Sequence, residues 1–443
     1  MKTSQSVHSQ RRRHVPQTLL IATALLVGAI LSLNLHAGVA HAASLGQSLC
    51  VNPGGTGGCY AKIQDAVNAA SPGATIRVAA GTYAEDVQIQ KPLTLHGAGE
   101  AATTIDATGL DHGVVVQGVS GGEITGFTIE NANLAGIQLT NVAWFQVDHN
   151  TVQGNDRNLV PAGFNSTCAG AAPFEQEDCG EGVYLQGVAF STFAHNLVQN
   201  NAGGFLVTDE TGPTHDNMIT NNTVRNNVYD CGITLPSHPT ITFGPGGPVF
   251  GPGYGVYNNT VSHNISTGNG TLGGGAGAGI FAPTPGTAAY NNTIVGNILT
   301  NNGMGGVALH SHAPGQNLNG NTIVGNIISG NGSDEDAGTP GSVGIVIFAD
   351  ASAGAAPIQG TTVVHNTISD ETVGVFVGRN DTSVLLRAND LSGTTVGVDN
   401  AGTGTADARA NYWGCTGGPG ATGCSSAEGT VLFTPWLKHA PGN

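Results

Sequence analysis

The chain has 443 residues, with 29 acidic against 13 basic side chains, a formal charge of −16, 69 glycines and 7 cysteines. That acidity argues against nucleic acid and against an anionic membrane surface as partners. It also disfavours an acidic polysaccharide unless local cations or a metal ion intervene.

Taken in chain order, residues 1–42 read as a signal peptide. Arg11, Arg12 and Arg13 form a basic segment, Leu19 to Leu35 is almost wholly apolar, and Ala40-His41-Ala42 supplies an A-x-A cleavage site. The remainder, 43–443, is expected to be one domain in the exported protein, secreted or at the cell surface, with no stable membrane span after processing and no oligomeric state readable. In an oxidising compartment the cysteines pair, and Cys50/Cys59, Cys168/Cys179 and Cys415/Cys424 are close in sequence. Cys231 is left over, either free and buried or competing for the middle pair. Between Ala61 and Ala70 the apolar spacing is helical, which predicts a short helix capping the first coil. Residues 50–100 are read as this cap with the first coils, 101–405 as coils, and 406–443, rich in aromatics from Tyr412 to Trp436, as the opposite cap.

The coils follow from a repeat. Val147-Asp-His-Asn150-Thr-Val152-Gln-Gly-Asn155 returns as Ile219…Asn222…Val224…Asn227, as Ile294…Asn297…Leu299…Asn302 and as Ile323…Asn326…Ile328…Asn331. A second phrase, G-[IV]-x-[LV], alternates with it, for example Gly136-Ile-Gln-Leu139, Gly182-Val-Tyr-Leu185 and Gly344-Ile-Val-Ile347. The shortest cycle is about 22 residues, in the solenoid range. Alternation of aliphatic and polar residues is the strand period, so each cycle is expected to hold three short strands. Asn suits a left-handed turn between two of them, and stacked coils would align these amides in a hydrogen-bonded row. Gly suits the other corner for the same backbone reason. Ile and Val at the apolar positions set the pattern apart from leucine-rich repeats. Over about residues 50–437 the pattern resembles the right-handed parallel β-helix, or pectin-lyase-like, superfamily, and most of all its NosD-type repeats. The resemblance implies an all-β solenoid and carries little chemistry.

Insertions between coils point to a site. The two largest, about Asp156–Gly180 and Pro236–Gly255, are expected to wall a groove over the G-[IV]-x-[LV] strands. Outward positions there read Gln138, Tyr184, Leu206, Thr234, Phe281, Ala308, Val346 and Phe376. Tyr184, Phe281 and Phe376 are the residues expected to stack on sugar rings. Past the strand ends, two clusters gather. Asp209, Glu210, Asp216 and His238, beside His215, are read as proton-transfer or metal-holding groups, with Arg225 and Arg157 as the nearest cations for a uronate. His310, His312 and Asp350, near Arg379, are read as metal ligands for Ca²⁺ or another divalent ion. His149, His195, His263 and His365 read as tolerated surface residues, and Asp334-Glu335-Asp336 as a solvated loop.

Motifs of the superfamily's enzymes do not carry over. Gly81-Thr-Tyr83-Ala-Glu85 matches the G-x-Y-x-E of pectin methylesterases, but their later catalytic motifs are absent. Trp144-Phe-Gln-Val-Asp148-His149 imitates a pectate-lyase motif at the wrong spacing, and Thr214-His-Asp216 is a poor copy of the epimerase D-P-H-D. The sequence therefore leads to a secreted protein that binds extracellular polysaccharide along the groove of one sheet. A lyase or epimerase acting on uronic-acid glycans and a structural or adhesive surface protein are the alternatives, and whether it is an enzyme stays open.

Overall fold

The computed structural model describes residues 46–160, 167–168, 181–244, 247–378, 380 and 382–442. The signal-peptide segment, most of the Asp156–Gly180 insertion with Cys179 of the Cys168/Cys179 pair, and Arg379 lie outside them. Three long parallel sheets of 14, 12 and 10 strands run the length of the described unit. Each coil gives one strand to each sheet in turn. Ile137–Thr140 joins the 12-stranded sheet, Ala143–Asp148 the 14-stranded sheet and Thr151–Gln153 the 10-stranded sheet. Successive coils pair in register, Ile137 on Val183 and Val147 on Phe193. Alternate side chains point inward, so Ile137, Leu139, Phe145, Val147 and Val152 are fully buried and stack on their counterparts above and below.

Asparagine rows hold the corners. The row from Asn150 through Asn196, Asn222, Asn264, Asn297, Asn326, Asn366 and Asn389 to Asn411 is continuous, each Nδ2 donating to the next Oδ1 at 2.9–3.2 Å. A second row runs from Asn155 to Asn331 and ends on Glu371, whose Oε1 takes the Asn331 amide. A third joins Asn217, Asn259 and Asn292. The single row expected from the sequence is thus three. The left-handed residue is also not the row Asn but the one before it, such as His149 (φ 52°), His195 (φ 54°), His263 (φ 55°) and His365 (φ 57°). That turn swings the following Asn inward, where burial makes its full hydrogen bonding obligatory. The repeat glycines correct a second expectation, because they are not left-handed. A Cβ on Gly136 would lie 2.5 Å from Asn155 Nδ2 and Val152 Cγ1, and one on Gly182 would strike Val198 and Asn201. They are glycine because the chain passes too close to the row for a side chain.

The ends are closed as the sequence predicts in kind. A helix at Ile63–Ala69 covers the first coil. Its amides at Ile63 and Gln64 donate to Glu85 at 2.8 and 2.9 Å, so the glutamate of the G-x-Y-x-E match caps a helix. Tyr83, in the same match, donates to the Ala79 carbonyl. At the other end Trp413 is fully buried, edge-on to Phe433. Cys50–Cys59 and Cys415–Cys424 are disulfides, and Cys231 is free and buried. Among the described residues no helix is long and apolar enough to cross a membrane.

Candidate functional site

The outer face of the 12-stranded sheet is covered over much of its length. Thr234 pairs with Gly279 and Gly279 with Ala308, so Phe281 stands two residues further on, beside Pro236 and His310. This corrects the outward column drawn from sequence. Glycine at both 277 and 279 left the phrase with two possible starts. Tyr184 (6% exposed) packs on Ala135 and Leu206. Phe376 (3%) packs with Ala308, Val346 and Phe348 under Ala276, Met304 and Ala337 from the coil loops, and Phe281 is partly buried against the same cluster. Burying these rings removes more apolar surface from water than an open groove would. Of the three residues expected to stack on sugar, two therefore have no free face.

Three of the four proposed catalytic residues meet. His238 Nδ1 lies 2.6 Å from Glu210 Oε1, which also accepts from Tyr184 Oη at 3.2 Å. Glu210 Oε2 is buried and has no hydrogen-bond partner among the described residues. Asp209 is fully buried and accepts from Ser237 Oγ and from the amides of His238 and Gly255. Burial raises its carboxyl pKa against those hydrogen bonds. It clamps the strand end at Pro236 to the base of the 240–251 hairpin (Thr240–Gly244 with Gly247–Gly251). Asp216 does not join them and holds His215 Nδ1 at another corner. Arg157 and Arg225 also stand apart. They donate to Asn131 and Gln199 along the 10-stranded sheet, because a residue after a row Asn belongs to a different face from one that ends the Gly strand.

His310 and His312 converge, but not on Asp350. Asp350 instead caps the turn at Ala351–Ala353 through the Ser352 amide, 2.9 Å away. The carboxylates come from the acidic run read as solvated. Asp334 Oδ2 lies 2.8 Å from His310 Nε2, and Asp336 Oδ2 lies 3.1 Å from His310 Nδ1 and 3.3 Å from His312 Nε2. Asp334 is fully buried. Burial opposes a charge on His310, but the hydrogen bonds it donates to both aspartates carry its pKa to about 9. Burial, and then the His310 charge, lower that of His312. The available signal was the 12 residues separating Asn331 from Gly344 where Asn302 and Gly306 are separated by three.

A fourth feature was missed from sequence. Trp144, Phe190, His215, Tyr257 and Tyr290 form one row of rings on successive coils. Trp144 stacks on Phe190 (4.6 Å, 9°), Phe190 meets His215 edge-on (5.1 Å), and His215, Tyr257 and Tyr290 stack at 4.9 and 5.1 Å. The last three ride a small parallel sheet of Thr214–His215, Val256–Tyr257 and Ala289–Tyr290. Thr214, Val256 and Ala289 point inward and are buried, which turns the rings outward. Trp144 is 62% and Phe190 41% exposed. Opposite Trp144 on the preceding coil, between Ser120 and Gly122, stands Gly121, which has no side chain to cover the indole. The signal was a register: these residues precede the row Asn by six positions in two coils and seven in the next three.

The NosD family model, described as periplasmic copper-binding protein, matches residues 120–339. The catalytic domain of a GH87 alpha-1,3-glucanase, in complex with tetrasaccharides, aligns at 14% identity and TM-score 0.51 over 83% of this chain, which spans 64% of that domain. The A-module of an Azotobacter vinelandii mannuronan C-5 epimerase aligns at 16% identity and TM-score 0.48, over 77% of this chain and 92% of the module. No curated protein sequence matches significantly. Coil geometry, repeat pattern and family match make this chain a right-handed parallel β-helix of the pectin-lyase-like superfamily, built on NosD-type repeats.

Proposed function

We propose that the protein is exported and binds an extracellular polysaccharide along its aromatic corner, without turning it over. The row from Trp144 to Tyr290 carries this reading. A continuous aromatic line whose Trp144 and Phe190 rings are exposed and whose other rings are half-buried is costly unless something covers it. Trp144 and Phe190 also sit in left-handed backbone (φ 57° and 51°), which costs about 1–2 kcal/mol at a residue with a Cβ. A strained, exposed ring is a functional signal where no packing demands it. Sugar C–H faces stack on the open indole, while the Tyr257 and Tyr290 hydroxyls and the His215–Asp216 pair offer hydrogen bonds. A neutral glycan fits best, because Asp216 puts a negative charge at this corner and the net charge is strongly negative. Two disulfides and the leader-like start of the chain support export.

Affinity electrophoresis over neutral and uronate polysaccharides tests it. Retardation by a neutral glycan, lost in Trp144→Ala and Tyr257→Ala, supports the reading. Equal retardation of both variants, or none by any glycan, removes it.

One observation favours a second reading, a lyase or epimerase. It is the buried Glu210 Oε2, without a partner among the described residues, beside His238 and Tyr184. Elimination next to a uronate needs the carboxylate neutralised, and Arg157 and Arg225 are elsewhere. New absorbance of unsaturated uronate, lost in Glu210→Gln, would establish it. Copper, named in the description of the NosD family, takes imidazole donors. Among the described residues two clusters offer them, Asp148–His149–His195 and His310–His312–Asp336.

A further inference from the structure

We infer that His310 Nδ1, His312 Nε2 and Asp336 Oδ2 form a binding site for an imidazole-preferring divalent ion, oriented by Asp334. The site is independent of the glycan-binding corner. Three donor atoms lie within 4.8 Å of one another. Asp336 Oδ2 is 3.1 and 3.3 Å from the two imidazole nitrogens. Donors around a tetrahedral zinc, with bonds of about 2.0–2.1 Å, are separated by about 3.3 Å, so the set already has the spacing of two tetrahedral edges.

The surroundings are those of a built site. Asp334, fully buried, accepts the Nε2–H of His310 at 2.8 Å. Its other oxygen accepts the Ala337 amide at 2.9 Å, which fixes the carboxylate. When an ion displaces the Nδ1 proton, that hydrogen bond keeps the remaining proton on Nε2, so that Nδ1 presents its lone pair toward Asp336 and His312 in the carboxylate–histidine–metal arrangement. Phe281 and Phe348 hold the His310 ring edge-on from either side, at 5.5 and 5.3 Å. The open side faces solvent, since the Asp336 and His312 side chains are 52% and 28% exposed, and leaves a fourth position for water. Two imidazoles with one carboxylate suit Zn²⁺ or Cu²⁺ and do not suit Ca²⁺, which takes oxygen ligands. This replaces Asp350 in the ligand set expected from sequence and narrows the expected Ca²⁺ or other divalent ion to one that prefers imidazole.

The test uses tag-free, chelator-treated full chain with the exposed pair removed (His149→Gln, His195→Gln), since Asp148, His149 and His195 form a second possible cluster. Zn²⁺ alone is titrated by calorimetry. One equivalent is expected to bind, at least ten-fold more weakly in His312→Gln and in Asp336→Asn, whose partly exposed side chains can change without emptying the core. Asp334→Asn is expected to lose about 10–100-fold. Cu²⁺ alone, followed by electron paramagnetic resonance, reports nitrogen coupling from two imidazoles in the unaltered site and from one in His312→Gln. No Zn²⁺ uptake, uptake unchanged in His312→Gln with native circular dichroism, or copper signals without nitrogen coupling would each overturn the assignment. His310 would then be an imidazolium bridging two aspartates.

Discussion

The indole of Trp144 lies flat on the ring of Phe190 one coil away, with centroids 4.6 Å apart and 9° between planes. Neither residue contributes to the tube interior, and the stack has solvent on its outer side. An offset or stacked pair contributes about 0.5–1.5 kcal/mol beyond buried area. Trp144→Ala is therefore expected to lower stability by no more than that in denaturant unfolding. Glycan affinity should fall at least ten-fold, a loss of about 1.4 kcal/mol or more. A stability loss well above the stacking range would mean that the ring is structural.

The asparagine rows make the opposite prediction. Asn222 donates to Phe193 O and Asn264 Oδ1 and accepts from the backbone and side-chain amides of Asn196, all between 2.9 and 3.0 Å. Asn222→Ala strands several buried partners, each costing about 1–3 kcal/mol. Destabilisation of at least about 3 kcal/mol is expected in urea unfolding. Trp144→Ala and Asn222→Ala should thus separate binding from folding.

Glu371 ends the second row in place of an asparagine, and burial raises its carboxyl pKa above the ordinary value. The folded state therefore holds that proton more tightly than the unfolded chain. Stability from this group is present at low pH and is lost as pH rises from about 4.3, the unfolded value, through the folded value. Glu371→Gln keeps the acceptor for Asn331 and removes the charge. It should be more stable than the parent at pH 7, with the difference disappearing below about pH 4. Thermal unfolding across pH measures this, and a gain that persists in acid would contradict it.

Asp209 links two regions. Its oxygens hold Ser237, His238 and Gly255, and Gly255 leads directly into Val256 and Tyr257. Asp209→Ala should cost about 2–4 kcal/mol, from two or three stranded partners, and should weaken glycan binding through a displaced Tyr257. Asp209→Asn, which retains an acceptor, should fall between. Glycan binding unchanged in Asp209→Ala would show that the hairpin base does not position the corner.

Much of this architecture was legible because a solenoid writes its period into its sequence. The Asn and Gly phrases located the coils, and the helical spacing after Cys59 located the cap. What the period could not supply was lateral contact between loops. Asp334 and Asp336 reach His310 and His312 by folding back from an insertion, and no register predicts that. Glu210 and His238 were found because both follow strand ends in adjacent coils. Asp216, Arg157 and Arg225 were misplaced because residues near one another in sequence fall on different faces of the tube. Phe281 was shifted by two because Gly277 and Gly279 offered alternative starts. The aromatic corner was missed because its register runs six residues before the Asn at Trp144 and Phe190 and seven from His215 onward.

The most direct measurement is tryptophan emission during titration with a neutral oligosaccharide. Trp144 is exposed, Trp413 is fully buried and Trp436 is partly buried in the C-terminal cap, so a ligand on the corner changes the part of the emission that Trp144→Phe removes. The account predicts a saturable blue shift in the parent chain, absent in Trp144→Phe and retained in His312→Gln. The same shift in Trp144→Phe, or a flat titration with glycans that the parent retains on a gel, would contradict it.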